Sequence, residues 1–288
     1  MSLTVAPHRR VVLVVGGASG IGHAVARRFA ADPRTGAVLV TSRDPGRLDA
    51  AVADIRAVVA AKRNCGDGAP VLVTGLPCAL GSEADCVALA QAAKAAAGRV
   101  DAVVHAAGAT LNKLAAFTAA EDFLEMHRVN CVLPCLVAKA VLRHGNIIPK
   151  PPSVRPPPEG GVVSGFDDLA ATAGFDGGAS FVAIGSVVGE AGNAGQVAYA
   201  ASKAALSGAY KALAKEYGGK GVRFNVVAPG LVDTAMARGP GVDAAKWAAA
   251  TALRRVGQPA EVAAAVALAV ECGYLNGQVI TVDGGRAQ

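Results

Sequence analysis

Near its start the chain reads Val11-Val12-Leu13-Val14-Val15-Gly16-Gly17-Ala18-Ser19-Gly20-Ile21-Gly22. The valine-rich run has the length and the β-branched content of a buried strand, and the glycines follow it at once. Residues 21–31 then read as an alanine-rich helix. This order of strand, turn and helix points backbone N–H groups of the helix N-terminus at a phosphate. The segment therefore predicts the first unit of a dinucleotide-binding fold.

Six more strand-like runs alternate with helical segments along the chain. The strands are predicted at residues 37–41, 71–74, 101–105, 180–184, 222–227 and 278–282. The helices are predicted near residues 47–62, 83–97, 121–143, 197–217 and 260–271. Seven strands interleaved with helices predict an α/β fold, a doubly wound (Rossmann) parallel seven-stranded sheet in a single domain over residues 1–288. A ligand is expected at the carboxyl ends of the strands.

A proline- and glycine-rich segment, residues 145–178, breaks this alternation. Its prolines cannot continue a helix or a central strand. We interpret the segment as an insertion in the connection that enters the fifth strand, at the amino-terminal edge of the sheet and away from the ligand. It is either a disordered spacer or an element that docks a partner.

Composition is consistent with one compact core. The chain has 288 residues, of which 52% are hydrophobic, and a mean hydropathy of +0.39. The net charge of +6 and the pI near 9.1 suggest an acidic partner or substrate. Charged residues make up only 17% of the chain and no dense Lys/Arg run occurs, so nucleic-acid binding is not expected.

Several sequence features bear on location. No apolar stretch is long enough to span a bilayer, so no membrane association is expected. The six cysteines form no Cys-x-x-Cys pair and no secretory signal is recognisable, which favours a reducing compartment. The basic residues His8, Arg9 and Arg10 resemble part of a mitochondrial presequence. We expect the mitochondrial matrix if the source is eukaryotic and the cytoplasm otherwise, and we expect no metal site.

Tyr199 and Lys203 lie four residues apart, with Ser186 thirteen residues before the tyrosine. Four residues make about one helical turn, so the ammonium is expected beside the phenol on one helix face. A free tyrosine has a pKa of about 10, and a nearby positive charge favours the phenolate. Such a phenol can donate a proton to a carbonyl oxygen, or take one from an alcohol, at physiological pH.

These residues belong to a longer pattern, which comprises Gly16-x-x-x-Gly20-x-Gly22, Ala106-Ala107-Gly108, Asn130, Ser186, Tyr199, Lys203 and Pro229-Gly230. The pattern resembles that of the short-chain dehydrogenase/reductases, over residues 11–285. Within that family the chain looks most like a 3-oxoacyl-[acyl-carrier-protein] reductase of type II fatty-acid synthesis. Two strings that suggest this are Gly192-Asn193-Ala194-Gly195-Gln196 and Asn225-Val226-Val227-Ala228-Pro229-Gly230.

The resemblance implies a role for each of four catalytic residues. Tyr199 is the general acid in the reducing direction, and Ser186 holds the substrate carbonyl oxygen. Lys203 lowers the pKa of the phenol and grips the hydroxyls of the nicotinamide ribose. Asn130 holds a water that links Lys203 to solvent, so that the proton lost by Tyr199 is replaced. The cofactor supplies the hydride.

The end of the second strand indicates which cofactor is used. No acidic residue stands there to accept from a ribose 2′-hydroxyl, whereas Arg43 can bind a 2′-phosphate, with Ser42 as a second contact. NADP(H) is therefore expected, the alternative being that Arg43 merely caps the strand. The further cofactor contacts that the resemblance implies are Gly16, Ala18, Ser19, Gly20, Ile21, Gly22, Leu80, Ala106, Ala107, Gly108, Tyr199, Lys203, Pro229, Gly230, Val232 and Thr234.

The chain departs from the family pattern at three places near the cofactor. Val15 stands where the family generally has threonine, and Ala79 stands where an aspartate is often found. The segment His105-Ala106-Ala107-Gly108 replaces the more usual Asn-Asn-Ala-Gly, which removes hydrogen bonds expected to brace the central strands. All four catalytic residues are nevertheless intact.

The activity expected from the resemblance is NADPH-dependent reduction of a 3-oxoacyl thioester on acyl carrier protein. A broad carbonyl or quinone reductase is the alternative within enzymes. A weakly active, cofactor-binding structural subunit of a mixed oligomer is the alternative outside them. The resemblance also implies a homotetramer, and it places Arg143 and Lys220 beside the active site as docking residues for the acidic carrier. Both could equally be solvated charges at helix ends.

Overall fold

The structure is a computed structural model that describes residues 5–6, 8–64, 70–147, 178–238 and 243–286. The predicted insertion at 145–178 lies outside the described residues except for its first three positions and its last. None of the helices within the described ranges is long and apolar enough to cross a membrane.

The described residues contain one sheet of seven parallel strands, in the order β3-β2-β1-β4-β5-β6-β7. The strands are β1 Arg10–Val15, β2 Thr35–Ser42, β3 Leu72–Pro77, β4 Ala102–His105, β5 Ala179–Ile184, β6 Val222–Pro229 and β7 Val279–Val282. Helices cover both faces of the sheet. The predicted doubly wound parallel fold is confirmed.

The α-helices of the described residues are α1 Gly20–Ala30, α2 Pro45–Asn64, α3 Glu83–Ala97, α4 Ala120–His127, α5 Leu133–His144, α6 Val188–Ala191, α7 Val197–Tyr217, α8 Ala244–Ala249 and α9 Pro259–Glu271. Short 3₁₀ turns add Ala115–Phe117, Gly218–Lys220 and Met236–Arg238. The sequence did not predict α6, α8 or these turns, because they are too short to show a helical period.

The helix predicted over residues 121–143 is interrupted. A π turn at Arg128–Val132 separates α4 from α5, with the Leu133 N–H donating to the Arg128 carbonyl five residues back. Pro134 has no N–H to donate to the carbonyl of Asn130, so the ordinary hydrogen-bond ladder cannot continue through this point. The interruption therefore falls at a predicted catalytic residue.

The edge strand β3 is longer than predicted. The sequence placed it at residues 71–74, whereas it runs from Leu72 to Pro77. Leu76 and Pro77 pair with Thr41 and Ser42 of β2. A proline is tolerated there because β3 is the last strand of the sheet and its outer edge has no partner strand in the described residues.

The five inner strands β1, β2, β4, β5 and β6 are buried on both faces, which explains their continuous apolar runs, whereas the edge strands β3 and β7 are partly exposed. On β1, Val11, Leu13 and Val15 pack in one cluster with helices α3, α5 and α7. Val12 and Val14 pack in a second cluster with α1, α2 and α9. The sheet is therefore a rigid layer that fixes the positions of its strand ends.

Candidate active site

A cleft of about 630 Å³ lies along the carboxyl edge of the sheet. Its wall is built by the segments that follow β1, β2, β4, β5 and β6 and by the first turns of α7. This volume is typical of small-molecule sites in proteins. The cleft lies where the fold predicts a ligand.

The glycine turn after β1 brings the N-terminus of α1 against the loop after β4. Gly16 has φ of 78°, and a Cβ added there would lie 2.7 Å from the Ala107 backbone nitrogen. A Cβ on Gly22 would lie 2.2 Å from the Gly16 carbonyl oxygen. Both positions therefore require glycine. Thr41 supplies a hydroxyl near Val15, since its Oγ1 accepts from the Gly16 N–H at 3.2 Å.

The start of α1 fits a cofactor diphosphate. Ser19 is the N-cap, and its side chain makes no capping hydrogen bond within the described residues. The first turn carries no acidic residue. Its backbone N–H groups and the positive end of the helix dipole are therefore available to an anion in the cleft.

Two arginines, rather than one, follow β2 at the cleft. Ser42 and Arg43 line the cleft as predicted, and so do Asp44 and Arg47. Asp44 caps α2 by accepting from the Arg47 N–H at 3.0 Å, and its other oxygen lies 3.2 Å from the Arg47 Nε. The Asp44 carboxylate, which lies near the expected 2′-phosphate, is thus paired with an arginine. The signal for this cap, Asp44 directly before Pro45, was present in the sequence.

Tyr199 and Ser186 both line the cleft, and the Ser186 hydroxyl is near enough to the phenol to influence its pKa. Ser186 Oγ accepts from the Val188 N–H at 3.2 Å, which fixes the hydroxyl. Burial raises the pKa of Tyr199, and the interaction with the Ser186 hydroxyl lowers it by less. The phenol is therefore protonated near neutral pH, the state that a proton donor needs.

Lys203 is buried beside this pair. Its Nζ donates to the Ile184 carbonyl at 2.7 Å and lies 5.8 Å from the centroid of the Tyr199 ring. Burial lowers the pKa of Lys203 to about 8. The expected lowering of the Tyr199 pKa by Lys203 is absent from this structure, because burial of the phenol outweighs its favourable interactions.

Asn130 lies in the π turn and is fully buried. Its Oδ1 accepts from the Ala109 N–H at 3.0 Å, and its Nδ2 donates to the Ala109 carbonyl at 2.9 Å and to Ser202 Oγ at 3.1 Å. The side chain therefore braces the loop after β4 against α7. A Cβ on Gly108 would lie 3.0 Å from Asn130 Oδ1 and 3.6 Å from Lys203 Nζ, so glycine is needed for this close approach.

All the predicted cofactor residues line the one cleft, and so do three of the four predicted catalytic residues. Asn130 stands behind the wall. The cofactor residues are Gly16, Ala18, Ser19, Gly20, Ile21, Gly22, Ser42, Arg43, Leu80, Ala106, Ala107, Gly108, Tyr199, Lys203, Pro229, Gly230, Val232 and Thr234.

The substrate end of the cleft contains residues that the sequence did not identify. Gln196 Nε2 donates to Asn112 Oδ1 at 2.8 Å, and its Oε1 accepts from Asn193 Nδ2 at 2.9 Å. Trp247 lines the cleft from α8, with the guanidinium carbon of Arg286 4.1 Å from its ring centroid. These side chains lie in segments that show no helical or strand periodicity. Their proximity is therefore visible only in the folded chain.

Arg143 and Lys220 lie at the other edge of the sheet. Arg143 is near the end of α5, shortly before Asn146, whose side chain donates at 2.9 Å to the carbonyl of Gly98, the C-cap of α3. Lys220 precedes β6 and lies 5.0 Å from the ring centroid of Tyr217. Both flank strand beginnings, because α5 and α7 run back along the sheet. The prediction that they lie beside the active site is wrong within one chain.

Comparisons with known proteins agree with this geometry. Residues 10–149 match the family model described as short chain dehydrogenase, and residues 166–287 match the one described as Enoyl-(Acyl carrier protein) reductase. The chain is 32% identical over 276 residues to Carbonyl reductase family member 4 of Danio rerio, covering 96% of this chain and 97% of that one. It is also 32% identical over 277 residues to 3-oxoacyl-[acyl-carrier-protein] reductase of Homo sapiens, with the same coverage of 96% and 97%.

Among solved structures, a short chain dehydrogenase from Burkholderia cenocepacia in complex with NADP has a TM-score of 0.75 and 27% identity, covering 97% of this chain and 99% of that one. Actinorhodin polyketide ketoreductase with NADPH has a TM-score of 0.77 and 25% identity, covering 98% of each chain. Both resemblances extend over the whole sheet and its cleft.

Proposed function

This chain belongs to the short-chain dehydrogenase/reductase family of oxidoreductases, and we propose that it reduces a 3-oxoacyl thioester on acyl carrier protein to the 3-hydroxyacyl form with NADPH. The observation that carries the proposed chemistry is that Tyr199, Ser186 and Lys203 line one wall of a cleft whose other end fits a dinucleotide. The similarity to the human 3-oxoacyl reductase supports the choice of substrate.

The proton step follows from the two hydroxyls. Tyr199 is protonated near neutral pH and donates its proton to the carbonyl oxygen as that oxygen gains negative charge. Ser186 holds the same oxygen by a hydrogen bond, which aligns the carbonyl and stabilises the developing charge. A nicotinamide cofactor supplies the hydride when bound.

Lys203 stabilises the phenolate that remains after the proton has left. Its pKa of about 8 leaves it mostly charged at neutral pH, and a buried positive charge acts through a low dielectric. In this role the lysine acts on the state that follows proton transfer. The raised pKa of Tyr199 before transfer is consistent with that order.

Asn130 sets the path by which the proton is replaced. Its side-chain amide is hydrogen-bonded to Ala109 and Ser202. A water held by Asn130 would therefore bind at the backbone carbonyl of this residue. Pro134, lacking an N–H, cannot occupy that carbonyl with an ordinary helical hydrogen bond. The role expected for Asn130 is thus assigned to its backbone, with its side chain holding the turn in place.

NADP(H) is the proposed cofactor. Arg43 can form charge-assisted hydrogen bonds with a 2′-phosphate, and the Asp44 carboxylate that would repel the phosphate is paired with Arg47. The similar solved structures with NADP and with NADPH support the same choice.

A broad carbonyl reductase is the second candidate, because the zebrafish relative named Carbonyl reductase family member 4 is as similar as the human 3-oxoacyl reductase. Steady-state rates with acetoacetyl carrier protein, acetoacetyl-CoA and quinones, each with NADPH, separate the two. A clear preference for quinones over both thioesters would reject the 3-oxoacyl proposal. No turnover by the purified chain with any of them would favour a structural subunit instead.

Assembly as a homotetramer is part of the proposal. Phe117 and Leu124 expose 71% and 70% of their surfaces near α4, and Leu268 exposes 54% on α9. Large apolar side chains left in water on two separate faces support two interfaces between copies. Arg143 and Lys220 could contact a carrier at an active site only if a neighbouring subunit brought them there. Carrier docking by these residues therefore depends on the tetramer.

A further inference from the structure

Trp247 lines the substrate end of the cleft from a helix that the core does not hold. Helix α8 has six residues, and none of them is buried. Trp247 itself is half-buried and lies in the cleft wall. A helix of this length is only marginally stable on its own. The position of the indole must therefore be fixed by contacts from outside α8.

Arg286 makes such a contact from near the C-terminus of the chain. Its guanidinium carbon lies over the indole, 4.1 Å from the ring centroid, within the range of a cation–π interaction. Its Nη1 is buried and has no hydrogen-bond partner among the described residues. A cation–π contact is stronger when the cation is shielded from water. The indole face therefore stabilises this charge, and the charge in turn holds the ring.

A turn after β7 brings Arg286 to the indole. Gly284 and Gly285 have φ angles of 69° and 71°, in the left-handed region that favours glycine. The Asp283 carboxylate accepts from the Gly285 N–H at 3.0 Å and stabilises the turn. A Cβ on Gly285 would lie 3.0 Å from Ala252 Cβ, so the two segments are in close contact. The sequence Asp283-Gly284-Gly285 thus specifies the turn directly before the arginine.

Hydrogen bonds fasten the same turn to the segment that follows α8. The Ala252 N–H donates to the Gly285 carbonyl at 3.0 Å, and Thr251 pairs with Arg286 in an antiparallel bridge. Thr251 is buried, and its Oγ1 donates to the carbonyl of Ala248 in α8 at 2.9 Å. The end of α8 and the turn after β7 are therefore parts of one connected structure.

The indole belongs to an apolar part of the cleft wall. Met236 and Ala237 line the cleft from the segment after β6, and Trp247 lines it from α8. The hydroxyls of Tyr199 and Ser186 belong to the same cleft. An apolar lining takes up the apolar part of a ligand, while a few polar groups fix its orientation. In a 3-oxoacyl thioester the apolar part is the acyl chain beyond the ketone.

We propose that Trp247 contacts the acyl chain of the substrate, and that Arg286 is a positioning residue which fixes the indole for that contact. The inference rests on the proposed function, because it assigns part of the same cleft to the acyl chain. Arg286 is not among the described residues that line the cleft, so it acts through the indole. Its effect on activity should therefore increase with the length of the acyl chain.

The test compares two substrates in three variants. Acetoacetyl-CoA and 3-oxooctanoyl-CoA, each used with NADPH, differ only in the length of the apolar chain. Arg286→Ala removes the stacked cation, whereas Arg286→Lys keeps the charge without the planar group. Lys246→Ala is the matched control, because it removes a positive charge from an exposed position on α8. Values of kcat and KM are measured separately for each pair.

We expect Arg286→Ala to lower the ratio of kcat/KM for the longer substrate to that for the shorter one by about fivefold or more, a factor that a cation–π contact shielded from water can contribute. The loss should lie in KM, because the acyl chain does not react. Arg286→Lys should keep part of the ratio and Lys246→Ala all of it. An unchanged ratio in Arg286→Ala would overturn the proposal, as would an equal fall in Lys246→Ala.

A double substitution tests whether Arg286 acts through the indole. Trp247→Ala should lower the same ratio, and adding Arg286→Ala to that variant should lower it no further, because the ring that the arginine positions is already absent. Losses that multiply in the double variant would show that the two residues act independently. That result would contradict the positioning role.

A spectroscopic measurement separates the position of the indole from turnover. Protein made with 5-fluorotryptophan gives one ¹⁹F resonance, because the chain contains a single tryptophan. Arg286→Ala should shift and narrow this resonance as the ring loses its stacked partner, and Lys246→Ala should not. An unchanged resonance in Arg286→Ala would refute the positioning role. If no thioester were turned over, the proposed function would fail, whereas this resonance would still decide whether Arg286 fixes the indole.

Discussion

Asn130 donates from its side-chain nitrogen to the hydroxyl of Ser202 at 3.1 Å, and Ser202 donates in turn to the Tyr199 carbonyl at 2.7 Å. The π turn is thus connected to the helix that carries the proton donor, one residue before Lys203. The placement of the catalytic tyrosine and lysine on α7 therefore depends in part on an amide that lies 72 residues before Ser202 in the chain.

Asn130→Ala should destabilise the protein by about 2–4 kcal/mol, because it leaves a cavity and strands the buried polar groups of Ala109 and Ser202. Ser202→Ala removes a smaller group and should cost about 1 kcal/mol. Urea unfolding measures both changes. A loss for Asn130→Ala no larger than that for Ser202→Ala would contradict the bracing role of the amide.

Tyr199→Phe should reduce kcat by at least about 10², because it removes the proton donor and keeps the ring. NADPH affinity should change little, since the phenyl ring still fills the wall of the cleft. Steady-state kinetics and calorimetric titration give the two quantities. Turnover close to that of the unmodified protein would exclude Tyr199 as the acid.

Turnover should fall as pH rises through about 8, the pKa to which burial lowers Lys203, because the uncharged amine no longer supports the phenolate. Tyr199 has a raised pKa and stays protonated there. Lys203→Arg keeps the charge and should abolish this fall in turnover, at a reduced overall rate. If turnover of that variant still falls near pH 8, a titrating side chain other than Lys203 causes the fall.

Rising pH should reduce turnover but should increase the contribution of Lys203 to the stability of the folded state. Its folded pKa of about 8 is below the ordinary value of 10.5, so the folded state gives up this proton before the unfolded state does. Its contribution therefore opposes folding below about pH 8 and is relieved as pH rises toward 10.5. Urea unfolding of the wild type against Lys203→Met across this range isolates that contribution. A difference between the two proteins that does not vary with pH would contradict it.

Arg43→Asp should weaken NADPH binding by at least about tenfold, since one charge-assisted hydrogen bond contributes about 1.5–3 kcal/mol and the new carboxylate repels the phosphate. NADH binding should change far less. Arg47→Gln, which frees the Asp44 carboxylate, should weaken NADPH binding by a smaller factor in the same direction. Equal affinity of the unmodified protein for NADH and NADPH would reject this interpretation of the strand end.

Light scattering at micromolar concentration should give the mass of a tetramer for the wild type and a smaller mass for Leu124→Glu, which places a charge on the exposed apolar surface near α4. Urea unfolding of the variant checks that it is folded. A stable wild-type monomer would refute both the assembly and the carrier docking that depends on it.

The sequence predicted all seven strands and the cleft that they form, because fully buried parallel strands read as short β-branched runs. It did not predict the π turn at Asn130, although Pro134 was a visible signal that the helix could not continue. A periodic pattern over residues 121–143 concealed that break. Element boundaries such as the end of β3 depend on pairing with β2, which one strand's residues do not reveal.

The sequence predicted some residues of the site correctly and misplaced others. The glycine turn and the catalytic residues could be identified because backbone geometry and chemistry restrict the residue types at those positions. Arg143 and Lys220 were placed at the wrong edge because α5 and α7 carry the chain back along the sheet, by about 18 Å over the 12 residues of α5, a distance that spacing in sequence does not display. The pKa of Tyr199 could not be predicted either, since it depends on burial by the folded chain.

Trp247 lies in the cleft wall with Arg286 against its ring, and the chain contains a single tryptophan. All the indole emission of the protein therefore comes from one ring beside the substrate end of the site. A reduced nicotinamide absorbs in the band where indole emits, so its binding should quench this light by energy transfer. The protein thus carries an intrinsic optical probe of its own active site, and occupancy can be followed on the stopped-flow timescale without attaching a label.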